Sequence, residues 1–263
     1  MFALVAIGFL LGASLGSFLN VCAYRIPRHM SVVCGRSSCP ACLQVLPWYD
    51  LIPILSFIAI CRGRCTHCGA RISLQYPAVE FLSGAWVVLV VLMGGFSPET
   101  LLLILFGLSM LLVALIDWRH YLIPNGVLLW SLAVFLAIKA TVSISALWPE
   151  FVALVTGFSI VFLVLHFGRF MLSRDVMGMG DVKLAAVIAF VVGVSGLLLS
   201  LWLGALGGII LALLQRTRFA NSAQNDVRIP FGSFLALSSV AVALLESETQ
   251  GSLIIRVLPW LNF

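Results

Sequence analysis

Charged side chains are scarce in this chain. Only 10% of its 263 residues are Asp, Glu, Lys or Arg, whereas 62% are hydrophobic and the mean hydropathy is +1.15. A soluble domain is roughly a quarter charged and about half apolar, so a water-surrounded fold could not bury this much apolar surface. The composition therefore excludes a soluble globular protein and predicts an all-α polytopic membrane protein whose solvent is largely the lipid bilayer.

Three sequence signals are also missing. Met1 leads straight into an apolar run without a basic segment or a convincing cleavage site, so we expect a retained first span rather than a cleaved signal. The polar segment near the N-terminus has no glycine-rich nucleotide fingerprint, and the chain has no internal repeat. The net charge of +5 and the pI near 9.0 do not predict a nucleic-acid partner, because the basic residues gather in predicted loops.

The apolar runs predict about eight transmembrane helices. The predicted spans are 2–23, 77–95, 98–117, 126–146, 149–168, 182–195, 197–215 and 230–246. The boundary between the sixth and the seventh is the weakest, since only Gly193–Gly196 separates them. The domains predicted from this pattern are a first transmembrane helix at 1–24, a cytoplasmic Cys-rich domain at 25–76 and a transmembrane domain at 77–263.

The distribution of basic residues predicts the orientation. Thirteen of the fifteen Lys and Arg residues fall in loops on one side of this topology, and Lys139 and Arg256 are the exceptions. Basic loops stay cytoplasmic, so the Cys-rich segment faces the cytoplasm and both termini lie outside.

Four of the seven cysteines form two pairs with metal-ligand spacing. CPAC supplies Cys39 and Cys42, and CTHC, 22 residues later, supplies Cys65 and Cys68. Four thiolates on two tight turns suit tetrahedral Zn²⁺, which would stabilise a small segment that lacks a large core. Cys61 or His67 could offer an alternative ligand, and a redox role for either pair is the less favoured reading.

Two aspartates lie at span ends on the predicted cytoplasmic side. Asp117 closes the third span in LVALIDWRHYLIPN, and Asp181 opens the sixth in GMGDVKL. Each has a simple structural explanation, a helix N-cap for Asp181 and an ion pair with Arg119 or His120 for Asp117. Together they could share a proton, with one activating water while the other polarises a peptide carbonyl, as in aspartic proteases.

Three neighbours of Asp181 are candidate supporting residues. Gly178 and Gly180 lack a Cβ and would let an extended substrate approach the carboxylate closely. Lys183 could hold Asp181 ionised or contact substrate, although a basic anchor at the membrane edge is an equal alternative.

Several motifs in one order resemble the bacterial type IV prepilin peptidases, which are intramembrane aspartic peptidases with a GxGD motif. They are GSFLNVCAYRIP, the two Cys pairs, ISLQYPAVEFLSG, Asp117 with LIPN, GMGDVK and IPFGSFLA. The resemblance implies removal of a short basic leader from prepilins or type II secretion pseudopilins at the cytoplasmic face of the inner membrane. It maps the catalytic pair onto Asp117 and Asp181.

The same resemblance implies a second activity. Relatives with the two Cys pairs methylate the new N-terminal amine with S-adenosylmethionine. Glu80, at the start of the second span, could recognise that amine, and a pair with Arg71 is its structural alternative. There are two rival functions. A presenilin-like intramembrane protease without methyltransferase activity predicts no Cys-rich loop. A transporter or metal carrier predicts inverted repeats and acids near mid-span.

Overall fold

A computed structural model describes residues 2–144, 147–172, 178–218 and 229–249, and the regular elements in this part of the chain are helices, with no strand. Its α-helices are α1 (Phe2–Arg25), α2 (Gln75–Gly94), α3 (Pro98–His120), α4 (Asn125–Val142), α5 (Leu147–Leu172), α6 (Met179–Arg218) and α7 (Phe231–Thr249), and three short helical turns lie at Ile26–Arg28, Trp48–Leu51 and Ser56–Ile60. Six of them, α1 to α6, are long and apolar enough to cross a membrane, and α7 holds a shorter apolar segment. The predicted all-α membrane fold is confirmed.

Local sequence explains where the helices end. α3 begins at Pro98 after Ser97, whose hydroxyl accepts the N–H of Thr100 at 3.1 Å and so caps the first turn. It ends at Tyr121, which adopts the left-handed conformation and donates its N–H to the carbonyl of Asp117. Asp117 therefore lies in the last turn of α3.

α6 contains two of the predicted spans and reverses between them. Gly193 has φ 73° and ψ 179°, a conformation outside the helical region that glycine adopts without steric cost. Contacts with α7 show the reversal: Asp181 lies beside Gly232, Gly196 beside Glu246, and Gly204 beside Leu235. The first arm runs along α7 in one direction and the second arm returns, so the weakest predicted boundary is a helical hairpin.

A half-buried lysine lies beside this reversal. Lys139 of α4 donates to the carbonyl of Phe190 at 2.9 Å and pairs with Glu150 of α5. The usual partner of that carbonyl would be the N–H four residues later, which lies beyond the break at Gly193. The ammonium group thus binds a carbonyl that lies just before the break.

The chain divides into two compact units, Met1–Phe96 and Ser97–Phe263. The first unit contains α1, the Cys-rich segment and α2, so the structure groups α2 with α1. In the second unit, α3 to α7 enclose a core that includes Phe106, Phe135 and Phe190, each fully buried.

In the first unit, glycines of α1 let its backbone approach α2. A Cβ at Gly12 would lie 2.6 Å from the carbonyl oxygen of Ser83, and one at Gly16 would lie 2.9 Å from Cα of Glu80. A Cβ at Gly8, on the same face, would make an ordinary van der Waals contact with Val88 at 3.7 Å. Small residues at such helix contacts allow the close packing that holds membrane helices together.

We predict that Gly12→Ala destabilises the first unit, because its methyl group would overlap α2 backbone that cannot rotate away. Overpacking of this kind costs about 1–3 kcal/mol. Thermal unfolding in detergent should show a lower midpoint for Gly12→Ala. Gly8→Ala is the matched control and should unfold at or slightly above the wild-type temperature, and equal midpoints for both variants would contradict the close contact.

Candidate active site and metal centre

Asp117 is held by the first turn of α7. It is 5% exposed, and its Oδ2 accepts the backbone N–H of Ser233 at 2.6 Å and the Ser233 hydroxyl at 2.9 Å. At the C-terminal end of α3 a carboxylate meets the unfavourable end of its own helix dipole. The N-terminal amides of α7 offset this, because they are the orphan donors of that helix. No ion pair with Arg119 or His120 occurs among the described residues.

Asp181 is the third residue of α6 and is half-buried. Its Oδ2 accepts the N–H of Gly178 at 3.2 Å, while its own N–H donates to the carbonyl of Gly178. This is the reach-back contact of a capping box rather than the N-cap that was one expectation for Asp181. The carboxylate thereby takes a fixed direction at the start of α6.

The two aspartates lie around one glycine. A Cβ at Gly232 would lie 3.1 Å from Asp117 Oδ2, 3.1 Å from Asp181 Oδ1 and 2.8 Å from Ile123 Cδ1. A single added methyl group would therefore touch both carboxylates. The structure brings together the pair that the sequence places 64 residues apart, at the ends of α3 and α6.

The predicted supporting residues fall in different places. A Cβ at Gly180 would press on Ile123 at 3.1 Å, whereas one at Gly178 would meet Asp181 Oδ2 at an ordinary 3.5 Å. Lys183 is exposed and donates to Asn125 Oδ1 at 3.0 Å, so its observed partner is the first residue of α4 rather than Asp181.

Sequence reasoning missed two residues of this site, Gly232 and Ser233. Both follow Pro230 in IPFGSFLA. Its IPFG part could form a substrate-facing backbone segment or simply begin a helix with its proline, and neither interpretation shows that the helix start faces Asp117. Both Gly232 and Ser233 are buried. The available signal was a glycine and a serine in the first turn of a membrane helix, where orphan amides need an acceptor.

The Cys-rich segment forms two turns of the same design. Cys39 and Cys65 donate their N–H groups to the carbonyls of Gln44 and Ala70, respectively, and antiparallel bridges join the residues around each turn. The residue after each second cysteine, Leu43 or Gly69, has a positive φ. The two turns present all four predicted thiols to one point.

These four thiols fit a tetrahedral metal ion. The Sγ atoms of Cys39, Cys42, Cys65 and Cys68 all lie within 4.8 Å of one another, and those of Cys39 and Cys68 are 3.9 Å apart. Sulfurs about 2.3 Å from a tetrahedral zinc are about 3.8 Å apart. Hydrogen bonds from the backbone N–H groups of Cys42 and Ala41 lower the pKa of Cys39 to about 7, which favours the thiolate.

The remaining candidates lie outside this group. Burial, followed by the charge of Asp50, raises the pKa of Cys61 to about 11 and keeps it a neutral thiol. Among the described residues, the possible metal group contains neither Cys61 nor His67. Cys22 is buried and Cys34 is exposed, both as free cysteines.

Glu80 lies in α2 and is 7% exposed. Its Oε2 accepts the N–H of Ile54 at 2.8 Å, and the Ser17 hydroxyl is a further hydrogen-bond partner. The alternative pair with Arg71 does not occur among the described contacts. Glu80 thus ties the Cys-rich segment to α1 and α2.

Two family models match the chain. The model of the bacterial peptidase A24 N-terminal domain matches residues 10–93, which include the four thiols, and that of the type IV leader peptidase family matches 103–213, which include both aspartates. A prepilin leader peptidase/N-methyltransferase of Bacillus subtilis is 33% identical over 240 residues, 89% of this chain and 93% of the relative. The chain belongs to the type IV leader peptidase family.

Other members of the type IV leader peptidase family are similarly related. Proteins of the same name from Dickeya chrysanthemi and Stutzerimonas stutzeri are 33% and 29% identical and cover 90% and 95% of this chain, which spans 91% and 93% of them. No solved structure matches. Gly232 and Ser233 lie beyond the segment that the family model matches.

We predict that Cys39→Ser lowers the metal content of the purified protein, because a serine hydroxyl does not replace a thiolate ligand on zinc. Elemental analysis of protein purified under reducing conditions should give about one metal ion per wild-type chain and much less for the variant.

Cys34→Ser is the matched control, since Cys34 lies in the same segment and is not part of the group. It should retain the metal. A Cys39→Ser protein with full metal content would overturn the four-cysteine site.

Proposed function

We propose that this protein removes the short basic leader from type IV prepilins or type II secretion pseudopilins and then methylates the new N-terminal residue. The observation that carries the proposal is the placement of Asp117 and Asp181 around Gly232, in a chain of the type IV leader peptidase family. The names of its relatives include both leader peptidase and N-methyltransferase. The proposed enzyme is therefore a membrane aspartic endopeptidase that is also an N-methyltransferase.

In the proposed reaction, Asp117 and Asp181 act on one water molecule and one peptide bond. Two neighbouring carboxylates do not ionise together easily, so they hold one proton between them. The ionised carboxylate takes a proton from water as the water oxygen bonds to the scissile carbonyl carbon, and the protonated carboxylate polarises the carbonyl. The C–N bond then breaks, and the proton taken from water passes to the leaving amine nitrogen. No covalent intermediate is required. We propose that Gly178 and Gly180, which lack a Cβ, leave room for an extended substrate backbone. Lys183 is a supporting residue at the membrane edge.

The proposed location is the bacterial inner membrane. The six membrane-length helices and the family support a membrane protein. The charge distribution supports a cytoplasmic active site and Cys-rich segment, with both termini outside. Prepilins have their basic leader on that side, so the leader would meet the aspartates at the membrane edge.

The methyl donor in this proposal is S-adenosylmethionine, and the amine-recognition residue is Glu80. The relatives' names support the methyltransferase activity. Glu80 is a buried carboxylate in the first unit, and a carboxylate would attract the new ammonium group. Zn²⁺ on the four cysteines has a structural role here, because it would hold the two turns of the Cys-rich segment together.

The two rival functions have less support. A presenilin-like protease without methyltransferase activity would not need the four-cysteine group, which the described residues contain. A metal carrier or transporter would place its acids near mid-span. Asp117 and Asp181 instead lie at helix ends.

We predict that Asp117→Asn and Asp181→Asn each reduce leader cleavage by at least about 100-fold, because an amide can neither take nor give the proton. The measurement is processing of a purified prepilin by each variant in membrane vesicles. Glu99→Gln is the matched control, since Glu99 is an exposed acid at the opposite end of α3, and it should cleave normally. Full processing by either Asn variant would overturn the mechanism.

We predict that Glu80→Gln lowers methyl transfer while leader cleavage continues. The amide oxygen can still accept the N–H of Ile54, so the local structure is retained while the negative charge is lost. Transfer of labelled methyl groups from S-adenosylmethionine to an already cleaved pilin measures the effect. Equal methylation by wild type and variant would remove Glu80 from the proposed site.

A further inference from the structure

The Ser233 hydroxyl has two acceptors and one hydrogen. Its Oγ lies 2.9 Å from Asp117 Oδ2 and 3.0 Å from the carbonyl oxygen of Ala114. Ser233 is 1% exposed, so bulk solvent does not reach its hydroxyl. A hydroxyl donates one hydrogen bond at a time and can accept two others. The hydrogen must therefore point either to Asp117 or to Ala114.

These two directions match the two protonation states of a carboxyl group. An ionised Asp117 only accepts, and it is satisfied when both the N–H and the O–H of Ser233 point at Oδ2. A protonated Asp117 has a hydrogen to donate, and an N–H group cannot receive it. The hydroxyl can: when it turns to the carbonyl of Ala114, its oxygen becomes the acceptor for Asp117.

We propose that Ser233 is a positioning residue that holds Asp117 in the same place in both protonation states. The inference rests on the proposed function, with Asp117 as the carboxylate that takes the proton from water and Asp181 as the one that polarises the carbonyl, because only a carboxyl group that gains a proton during turnover needs a partner of this kind. A group left without a partner in one state would turn away or be destabilised, since an unsatisfied buried polar group is costly. Rotation of a single hydroxyl avoids this and requires no backbone movement.

Another serine of α7 provides the comparison. Ser239 is also fully buried, and its hydroxyl donates to the carbonyl of Ala236 at 2.8 Å. It shares the helix, the burial and a hydrogen bond to a carbonyl with Ser233. Ser239 has no carboxylate among its described hydrogen-bond partners. Ser233→Ala and Ser239→Ala therefore remove the same buried atom from one helix; they differ in the contact with Asp117 and in the carbonyl partner, which lies on α3 for Ser233 and on α7 for Ser239.

The kinetic test compares prepilin cleavage by the two alanine variants. Ser233→Ala should lower kcat about tenfold with KM within about twofold, because it removes one hydrogen bond to the reacting group. Ser239→Ala should leave both constants near the wild-type values. Ser233→Cys keeps a weak donor and acceptor and should fall between wild type and Ser233→Ala. An unchanged kcat in Ser233→Ala would overturn the proposal, and so would an equal loss in Ser239→Ala.

A spectroscopic test separates positioning from folding. The infrared band of the protonated Asp117 carboxyl group is assigned by its loss in Asp117→Asn, in samples acidified until the band appears. Ser233→Ala should move this band to higher wavenumber, because the acid loses its hydrogen-bond acceptor. Ser239→Ala should leave it in place. An unmoved band in Ser233→Ala would overturn the proposal even if kcat falls, since the loss would then be structural.

The two proposals can fail separately. If Asp117→Asn cleaves prepilin normally, the proposed catalytic role of Asp117 fails. The infrared band still reports whether Ser233 partners the protonated carboxyl group. If Asp117→Asn is inactive while Ser233→Ala retains both the wild-type kcat and the wild-type band, the peptidase proposal stands and the positioning role is wrong.

Discussion

The contact between Asp117 and the first turn of α7 determines the arrangement of the candidate site. A carboxylate at the C-terminal end of α3 is unfavourable on electrostatic grounds, and unpaired amides at the start of α7 are equally so. Placed together, each satisfies the other through the N–H and the hydroxyl of Ser233. The same contact brings Gly232 against both aspartates. The geometry of the candidate site and the packing of α3 on α7 therefore depend on one buried interaction.

The reversal of α6 at Gly193 supplies the second carboxylate. Because the first arm runs along α7, its N-terminal end and Asp181 lie level with Gly232. The return arm then packs back along α7, from Glu246 beside Gly196 to Leu235 beside Gly204. Lys139 stabilises the turn by binding the carbonyl of Phe190, which lies just before the break. A straight helix could not place both Asp181 and Gly204 beside the first turns of α7.

In the first unit, the polar Cys-rich segment has little core of its own and needs another source of stability. Its two cysteine turns are alike in backbone hydrogen bonding, and they bring four thiols within reach of one metal ion. Leu43 adopts a positive φ at the position where the second turn has Gly69. Such a conformation is costly for leucine, so the surrounding turn must hold it in place. Glu80 adds a second attachment through the N–H of Ile54.

The sequence by itself determined the all-α membrane fold, the four-cysteine group and the candidate pair Asp117 and Asp181. Each follows from a local pattern: an apolar run, a C-x2-C spacing or an acid at a span end. The roles of Ser233 and Gly232, the hairpin at Gly193 and the partner of Lys183 were decided by the tertiary structure. They depend on which helix ends meet, and no local pattern encodes that, because the orphan amides of one helix can be satisfied by any acceptor the fold brings near.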